Sequence, residues 1–242
     1  MNRSQQIRAR LRFAPAPSVS APQNSVAPLF IKRKRPMDIV IATRNRNKAK
    51  ELKKCLADLN FTVLSLSDFP DVPPVEEDGA TFEENAVKKA ATVAKATGLL
   101  TLADDSGLVV DSLDGRPGVY SARYSGQNAT DRENNEKLLH ELEGAVNEQR
   151  QARFVCCAAL ADKKGLINVA KGTCEGQIGH ECRGNFGFGY DPLFIKDGYN
   201  KTFAELPLET KNRISHRALA LQKAKFAIER YLLGGERSKP NL

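Results

Sequence analysis

No apolar stretch in this 242-residue chain approaches the ~20 residues of a membrane-spanning helix, which excludes a helical membrane protein. Cysteine is scarce and badly spaced for metal. The five cysteines (Cys55, Cys156, Cys157, Cys174, Cys182) never stand as C-x-x-C, and the three histidines (His140, His180, His216) are scattered, so a zinc site is not expected. Cys156-Cys157 sits in an apolar, strand-like run, where free thiols pack as small hydrophobes. That usage suits a reducing compartment. Acid is missing altogether from residues 1–36, which hold eight basic side chains: Arg3, Arg8, Arg10, Arg12, Lys32, Arg33, Lys34 and Arg35. The net charge of +8 therefore resides in this segment, because the other 29 of the 37 Lys and Arg face 29 Asp and Glu. A neutral body argues against a broad nucleic-acid-binding face, which needs clustered cations. Also absent are an internal repeat and the G-x-x-x-x-G-K-[ST] phosphate loop.

What is present divides at Met37. Residues 1–36 are rich in Ser, Pro, Ala and Gln without apolar periodicity and read as a disordered basic extension. Its Arg-rich start reads either as an organelle transit peptide or as sequence ahead of a true start at Met37. Residues 37–242 read as one domain, cytoplasmic unless the extension targets it to an organelle. In it Ile39-Val40-Ile41 predicts a buried strand, and Leu52, Cys55, Leu56 and Leu59 predict a helix over 47–59. A second strand is expected over 62–66 and a loop over 68–80. Thr81 with Glu84, and Thr130 with Glu133, have capping-box spacing for helices ending at Gly98 and Gly144. Residues 152–161 and 166–172 read as a hairpin about Lys163-Lys164-Gly165, with another strand near 173–181. Ser215 caps a final helix to about Leu233. Helices alternate with strands at first and strands then cluster, which predicts an α/β fold with a mixed sheet.

Four constellations carry chemistry. Leu102-Ala103-Asp104-Asp105-Ser106-Gly107 followed by Leu108-Val109-Val110 reads as strand, acidic turn, strand. Carboxylates at such a rim suit Mg²⁺, which is usually held by one or two carboxylates plus substrate phosphates. The loop Glu76-Glu77-Asp78-Gly79 could supply a second carboxylate, or be solvated surface. Thr43-Arg44-Asn45-Arg46-Asn47-Lys48 joins a strand to a helix start, where free N–H groups and the dipole favour phosphate. By itself it is equally an Asn-rich turn. Phe186-Gly187-Phe188-Gly189-Tyr190-Asp191 offers aromatic faces between glycines, or is a tight turn with core aromatics. Lys211 precedes Ser215-His216-Arg217, where cations in a first helical turn oppose the dipole and so favour an anionic or carbonyl partner.

Together these segments resemble the inosine/xanthosine triphosphate pyrophosphatases (dITP/XTP pyrophosphatases) over about 38–233. The markers stand in order: Ala42-Thr43 with Asn45 and Lys48; Phe82-Glu83-Glu84-Asn85-Ala86; Ala103–Leu108; Gly118–Gly126; Gly187–Asp191; and Ile214–Arg217. The Asp-Asp-Ser-Gly turn is similar to the bacterial branch. Arg44 and Arg46 depart from the pattern, which has small residues there. The resemblance implies a two-lobed fold with a long twisted mixed sheet and an active-site cleft between the lobes, and a homodimer. It implies Mg²⁺-dependent hydrolysis of ITP, dITP and XTP to monophosphate and pyrophosphate, which keeps deaminated purines out of DNA and RNA. Asp105 would be the catalytic base and, with Glu76, a metal ligand. Thr43, Arg44, Asn45, Arg46, Asn47, Lys48, Lys89, Ser106, Phe188, Gly189, Tyr190, Asp191, Lys211, His216 and Arg217 would bind substrate, with Phe188 and Tyr190 around the base and Arg217 donating to O6. No nucleic-acid or membrane partner is expected.

Overall fold

The computed structural model describes residues 37–59 and 61–233; the extension over 1–36 lies outside the described residues. Strand β1 (Met37–Ile41) leads into helix α1 (Arg46–Cys55) and returns as β2 (Phe61–Ser65). Helix α2 (Phe82–Thr97) and strand β3 (Leu100–Val110) follow, then helix α3 (Asp131–Glu141). The long hairpin β4 (Gln151–Asp162) and β5 (Gly165–Ile178) precedes a short strand β6 (Phe194–Lys196). Helices α4 (Leu208–Ile214) and α5 (His216–Leu232) close the chain. The six strands form one mixed sheet in the order β2-β1-β3-β4-β5-β6. Strands β2, β1 and β3 run parallel and the rest antiparallel.

From β1 the chain crosses to β2 on one side and then back past β1 to β3 on the other. Right-handed crossovers in opposite directions put their helices on opposite faces. Accordingly Leu52 of α1 and Leu56, which caps its C-terminus, pack with α5 against Cys156, Ala158 and Leu160. Ala86, Ala90 and Val93 of α2 pack against Cys157, Ala159 and Ala161. Alternation along β4 thus sends the adjacent thiols of Cys156 and Cys157 to opposite faces, both buried. A third cluster, built on Leu108, Phe154, Ile178, Phe194, Phe203 and Leu138 of α3, forms a second lobe at the far end of the same sheet. No described helix is long and apolar enough to cross a membrane.

Several boundaries differ from expectation. The acidic segment is no turn: β3 runs unbroken, with Asp104 opposite Ala158 and Asp105 opposite Cys157. Ladder hydrogen bonds to β4 hold the aspartates in extended backbone. Likewise β5 does not break at Gly172. A Cβ there would stand 2.2 Å from the His216 carbonyl oxygen, so this glycine admits the start of α5 onto the strand. Helix α1 ends at Cys55 rather than 59, and Leu59 reaches the core from a turn. Thr81 caps α2 through the Glu84 N–H at 3.1 Å, but Glu84 reaches back to the Ala80 amide, one residue beyond the capping-box partner. The box at Thr130 and Glu133 is complete. Strand β6 and helix α4 were not anticipated; their few residues carry no periodicity.

Candidate active site

Strand β1 pairs with β3 only as far as Leu102. Beyond it, β3 continues past the C-terminal ends of β1 and β2, paired with β4 on one side but with no strand on the β1 side of residues 104–107 until Leu108 donates to the Ser121 hydroxyl. Ligands of open α/β sheets bind in such crevices. A cleft of about 290 Å³ opens here between the lobes, lined by Asp105, Ser106 and Gly107. Gly107 is required: a Cβ would stand 2.3 Å from Ser121 Oγ. Because neighbours on a strand face opposite ways, Asp104 and Asp105 build two different environments.

On the α2 face, Asp105 Oδ2 accepts from Asn85 Nδ2 at 3.1 Å and Oδ1 from Lys89 Nζ at 3.3 Å. Asn85 is fixed in that sense because its own oxygen accepts the Gly79 N–H at 2.8 Å. Lys89 Nζ also lies 3.2 Å from Glu77 Oε1, so two carboxylates converge on one cation. Burial lifts the Asp105 carboxyl above the usual carboxylate range; Lys89 and Lys48 pull it down and Glu77 adds to the lift. A buried carboxylate so poised is a candidate base.

On the opposite face runs a chain of ion pairs. Lys48 Nζ stands 3.3 Å from Asp104 Oδ2, which also accepts from Arg217 Nε at 3.2 Å. Arg217 Nη1 donates to Glu51 Oε2, whose other oxygen accepts from Lys211 Nζ at 3.0 Å. Lys211 also pairs with Asp191. Arg217 Nη2 reaches Ser106 Oγ at 2.7 Å. Burial would raise Asp104, but the Lys48, Arg217 and Lys89 charges prevail and hold it well below the usual range. Such pairs persist in low dielectric only because each charge is matched. His216 stacks on Phe154 with centroids 4.6 Å apart. Burial, then the charges of Arg217 and Lys211, keep it neutral. Its buried Nδ1 has no partner among the described residues, leaving a polar atom for a ligand.

The glycine-aromatic loop is pinned from α3. Asp131 Oδ2 accepts the Gly189 N–H at 2.7 Å and Asn135 donates to the Gly189 carbonyl at 2.9 Å. Gly187 has φ +78°, and a Cβ there would meet the Asp191 carboxylate. The pinned loop leaves Phe188 half-buried beneath Lys211, whose Nζ is 4.7 Å from the ring centroid.

Of the residues expected at the site, the cleft gathers Thr43, Arg44, Asn45, Lys48, Lys89, Asp105, Ser106, Phe188, Gly189, Tyr190, Asp191, Lys211, His216 and Arg217. Arg46 and Asn47 are exposed and lie outside its lining. Four details change. Glu77, not the exposed Glu76, lines the cleft. Tyr190 is buried in the second lobe with its hydroxyl on the Ser121 carbonyl at 2.9 Å, so Phe188 alone offers a partly open ring. The Asn47 and Lys48 amides are taken by Asn45 Oδ1 at 2.9 and 3.1 Å, and the Asn45 amide by Thr43 Oγ1. The phosphate-loop donor aimed inward is therefore the Lys48 ammonium. Arg217 has three of its five N–H donors committed, which leaves one on each terminal nitrogen. Glu51, Asp131 and Asn135 were not among the expected site residues, and Asn85 and Arg123 stood only within the segments of the resemblance, with no role given to them. Of the other three, Glu51 carries a signal, as an acid within the apolar stripe of α1.

Both carboxylates at Lys89 are compatible with a hard cation. The described residues hold no cage of three or more protein ligands, but Mg²⁺ needs only one or two carboxylates when phosphates complete its shell. Asp105 with Glu77 supplies that number, both carboxylates reaching the Lys89 ammonium, whose place beside them such a cation would share or take.

Comparison with known proteins agrees with this architecture. The Ham1 family pattern matches residues 39–227. The chain is 58% identical over 183 residues to a dITP/XTP pyrophosphatase of Geobacter sulfurreducens, covering 76% of this chain and 92% of that one. It is 48% identical to the protein of that name from Bacillus subtilis, covering 79% and 97%. A HAM1 protein from Coxiella burnetii superposes with a TM-score of 0.73 at 43% identity, over 80% of this chain and 99% of that one. A nucleoside-triphosphatase / dITP/XTP pyrophosphatase from Mycobacterium abscessus superposes at 0.65 and 43% identity, over 78% and 98%. By the extent of these matches, the chain belongs to the Ham1 family.

Proposed function

We propose that this protein is a dITP/XTP pyrophosphatase, hydrolysing deaminated purine nucleoside triphosphates to the monophosphate and pyrophosphate with Mg²⁺. The observation that carries the reading is Asp105: a buried carboxylate on an open strand edge, held between Asn85 and Lys89, across the cleft from Lys48. The names and high identity of the relatives support the same chemistry. Asp105 takes the proton of the attacking water or orients it. Lys48 and Lys89 neutralise the phosphates, and Asp105 and Glu77 would hold Mg²⁺. The metal would stabilise charge on the pyrophosphate leaving group.

Beside these groups in the same cleft, Phe188 packs on the base, and Arg217 and His216 face its edge. A 6-oxopurine presents an acceptor at O6, which suits the remaining Arg217 donors; adenine presents an amino group, donor against donor. One such mismatch costs about 1–3 kcal/mol, or about 5- to 150-fold. The homodimer and the cytoplasmic setting belong to this proposal, the second supported by five unpaired cysteines. Removal of deaminated purines from the pools for DNA and RNA synthesis would be the purpose.

A substrate profile tests the reading. With ITP, XTP, ATP, GTP and dUTP, ITP and XTP should be turned over fastest, with pyrophosphate as product and activity lost in EDTA. Preference for dUTP, or release of orthophosphate, refutes it. The pinned loop gives a second expectation. In Asp131→Ala the Gly189 N–H loses its acceptor, and KM for ITP should rise about 2- to 13-fold with kcat retained. Equal loss in kcat would place the fault in chemistry rather than in the loop.

A further inference from the structure

Arg44 and Arg46 have no role in the mechanism above. Arg44 is anchored by a 2.8 Å bond from Nη2 to the Val72 carbonyl. Behind the phosphate loop lies a second cavity of about 520 Å³, within the size range of small-molecule sites. It is lined by Arg44, Arg46, Lys50 and Lys53, with Ser65 at the end of β2 and Ser67 in the turn that follows. Arg46, Lys50 and Lys53 stand at i, i+4 and i+7, so they share one face of α1. Their neighbours Lys48 and Lys54 pair with Asp104 and Glu209, whereas these three have no carboxylate partner among the described residues.

No acidic side chain lines the cavity. The carboxylate of Asp68, close in sequence, is turned onto the Ser65 N–H and hydroxyl. Like charges one turn apart on a helix repel, and an anion between them relieves the cost. Since 37–242 carries no net charge, four unneutralised cations in one concavity are a local excess rather than part of a basic surface. The α1 N-terminus contributes little, because Asn45 already accepts two of its amides. The donors are side chains, which suits a ligand that is all acceptor and multiply charged.

We infer that this cavity is a second anion site, taking a compact polyphosphate such as inorganic pyrophosphate. Thr43 and Arg44 line both cavities, so the two anions would lie on either side of the phosphate loop. If the proposed hydrolysis holds, the ligand is the reaction's own product, held behind the loop after leaving the cleft. The inference rests on the cavity and its charges and does not require that reaction.

Calorimetric titration of pyrophosphate into the full chain, in EDTA at low salt, tests it. The variant is Lys50→Gln with Lys53→Gln, both exposed and outside the catalytic cleft. The control is Lys163→Gln with Lys164→Gln, which removes the same charge at the exposed turn between β4 and β5. The first pair should weaken a pyrophosphate-binding step by about 2- to 30-fold, the loss expected for two exposed ion pairs. That step should fade as salt is raised. The control should bind like the wild type, and any ITP hydrolysis should be equal in all three proteins. An unchanged isotherm in the first pair overturns the inference, as does equal weakening in both. Tighter binding of a single-stranded oligonucleotide through the same two lysines would reassign the patch to nucleic acid.

Discussion

Asp105→Asn lowers ITP turnover by about 10²- to 10⁴-fold while the protein stays folded, the span that a positioned acid–base group contributes. The substitution is nearly isosteric. The amide oxygen can still accept from Asn85 or Lys89, and Lys89 keeps Glu77 at 3.2 Å, so the buried ammonium is not abandoned. What disappears is the negative charge at the open edge of β3, and with it both the proton acceptor and one of the two proposed Mg²⁺ ligands. Single-turnover rates on ITP, set beside urea unfolding curves, separate the two consequences. Activity within about threefold of the wild type would remove Asp105 from the chemistry.

Arg217→Ala has the second large effect, and it falls on stability. The guanidinium is fully buried and donates at once to Asp104, Glu51 and Ser106. Truncation leaves Asp104 with Lys48 and the Ser106 hydroxyl, and Glu51 with Lys211 alone, and opens a void beneath the cleft. Removing one partner of a buried ion pair costs about 3–5 kcal/mol, a large share of the 5–15 kcal/mol that holds a domain together. Urea denaturation should show a loss of that size, and a loss under about 1 kcal/mol would mean the pairs are already relaxed by water. Base selection is therefore better read on Arg217→Lys, which keeps the charge but not the fork. There the ITP/ATP ratio of kcat/KM should shrink, whereas a residue that serves phosphate alone would depress both substrates equally.

The sequence by itself determined the α/β class, the capped starts of α2, α3 and α5, the hairpin β4–β5, and most of the residues that meet in the cleft. Those are local properties: apolar periodicity, a Ser or Thr one residue ahead of a helix, a glycine after it. Short-range chemistry writes them into neighbouring positions. Tertiary structure alone decided that Asp104 and Asp105 sit on an unbroken strand and serve opposite faces of the sheet, because ladder bonds to β4, 54 residues away at Asp104–Ala158, override the turn-like look of Asp-Asp-Ser-Gly. It decided that Glu77 rather than Glu76 enters the cleft, since Arg123 holds the Glu77 carbonyl at 3.0 Å and Lys89 its carboxylate. It also made Glu51 the link between Lys211 and Arg217, 160 and 166 residues distant. Which of two adjacent acids is buried, and which cation it meets, depends on electrostatics across the sheet, and that sum exists only once the helices have docked.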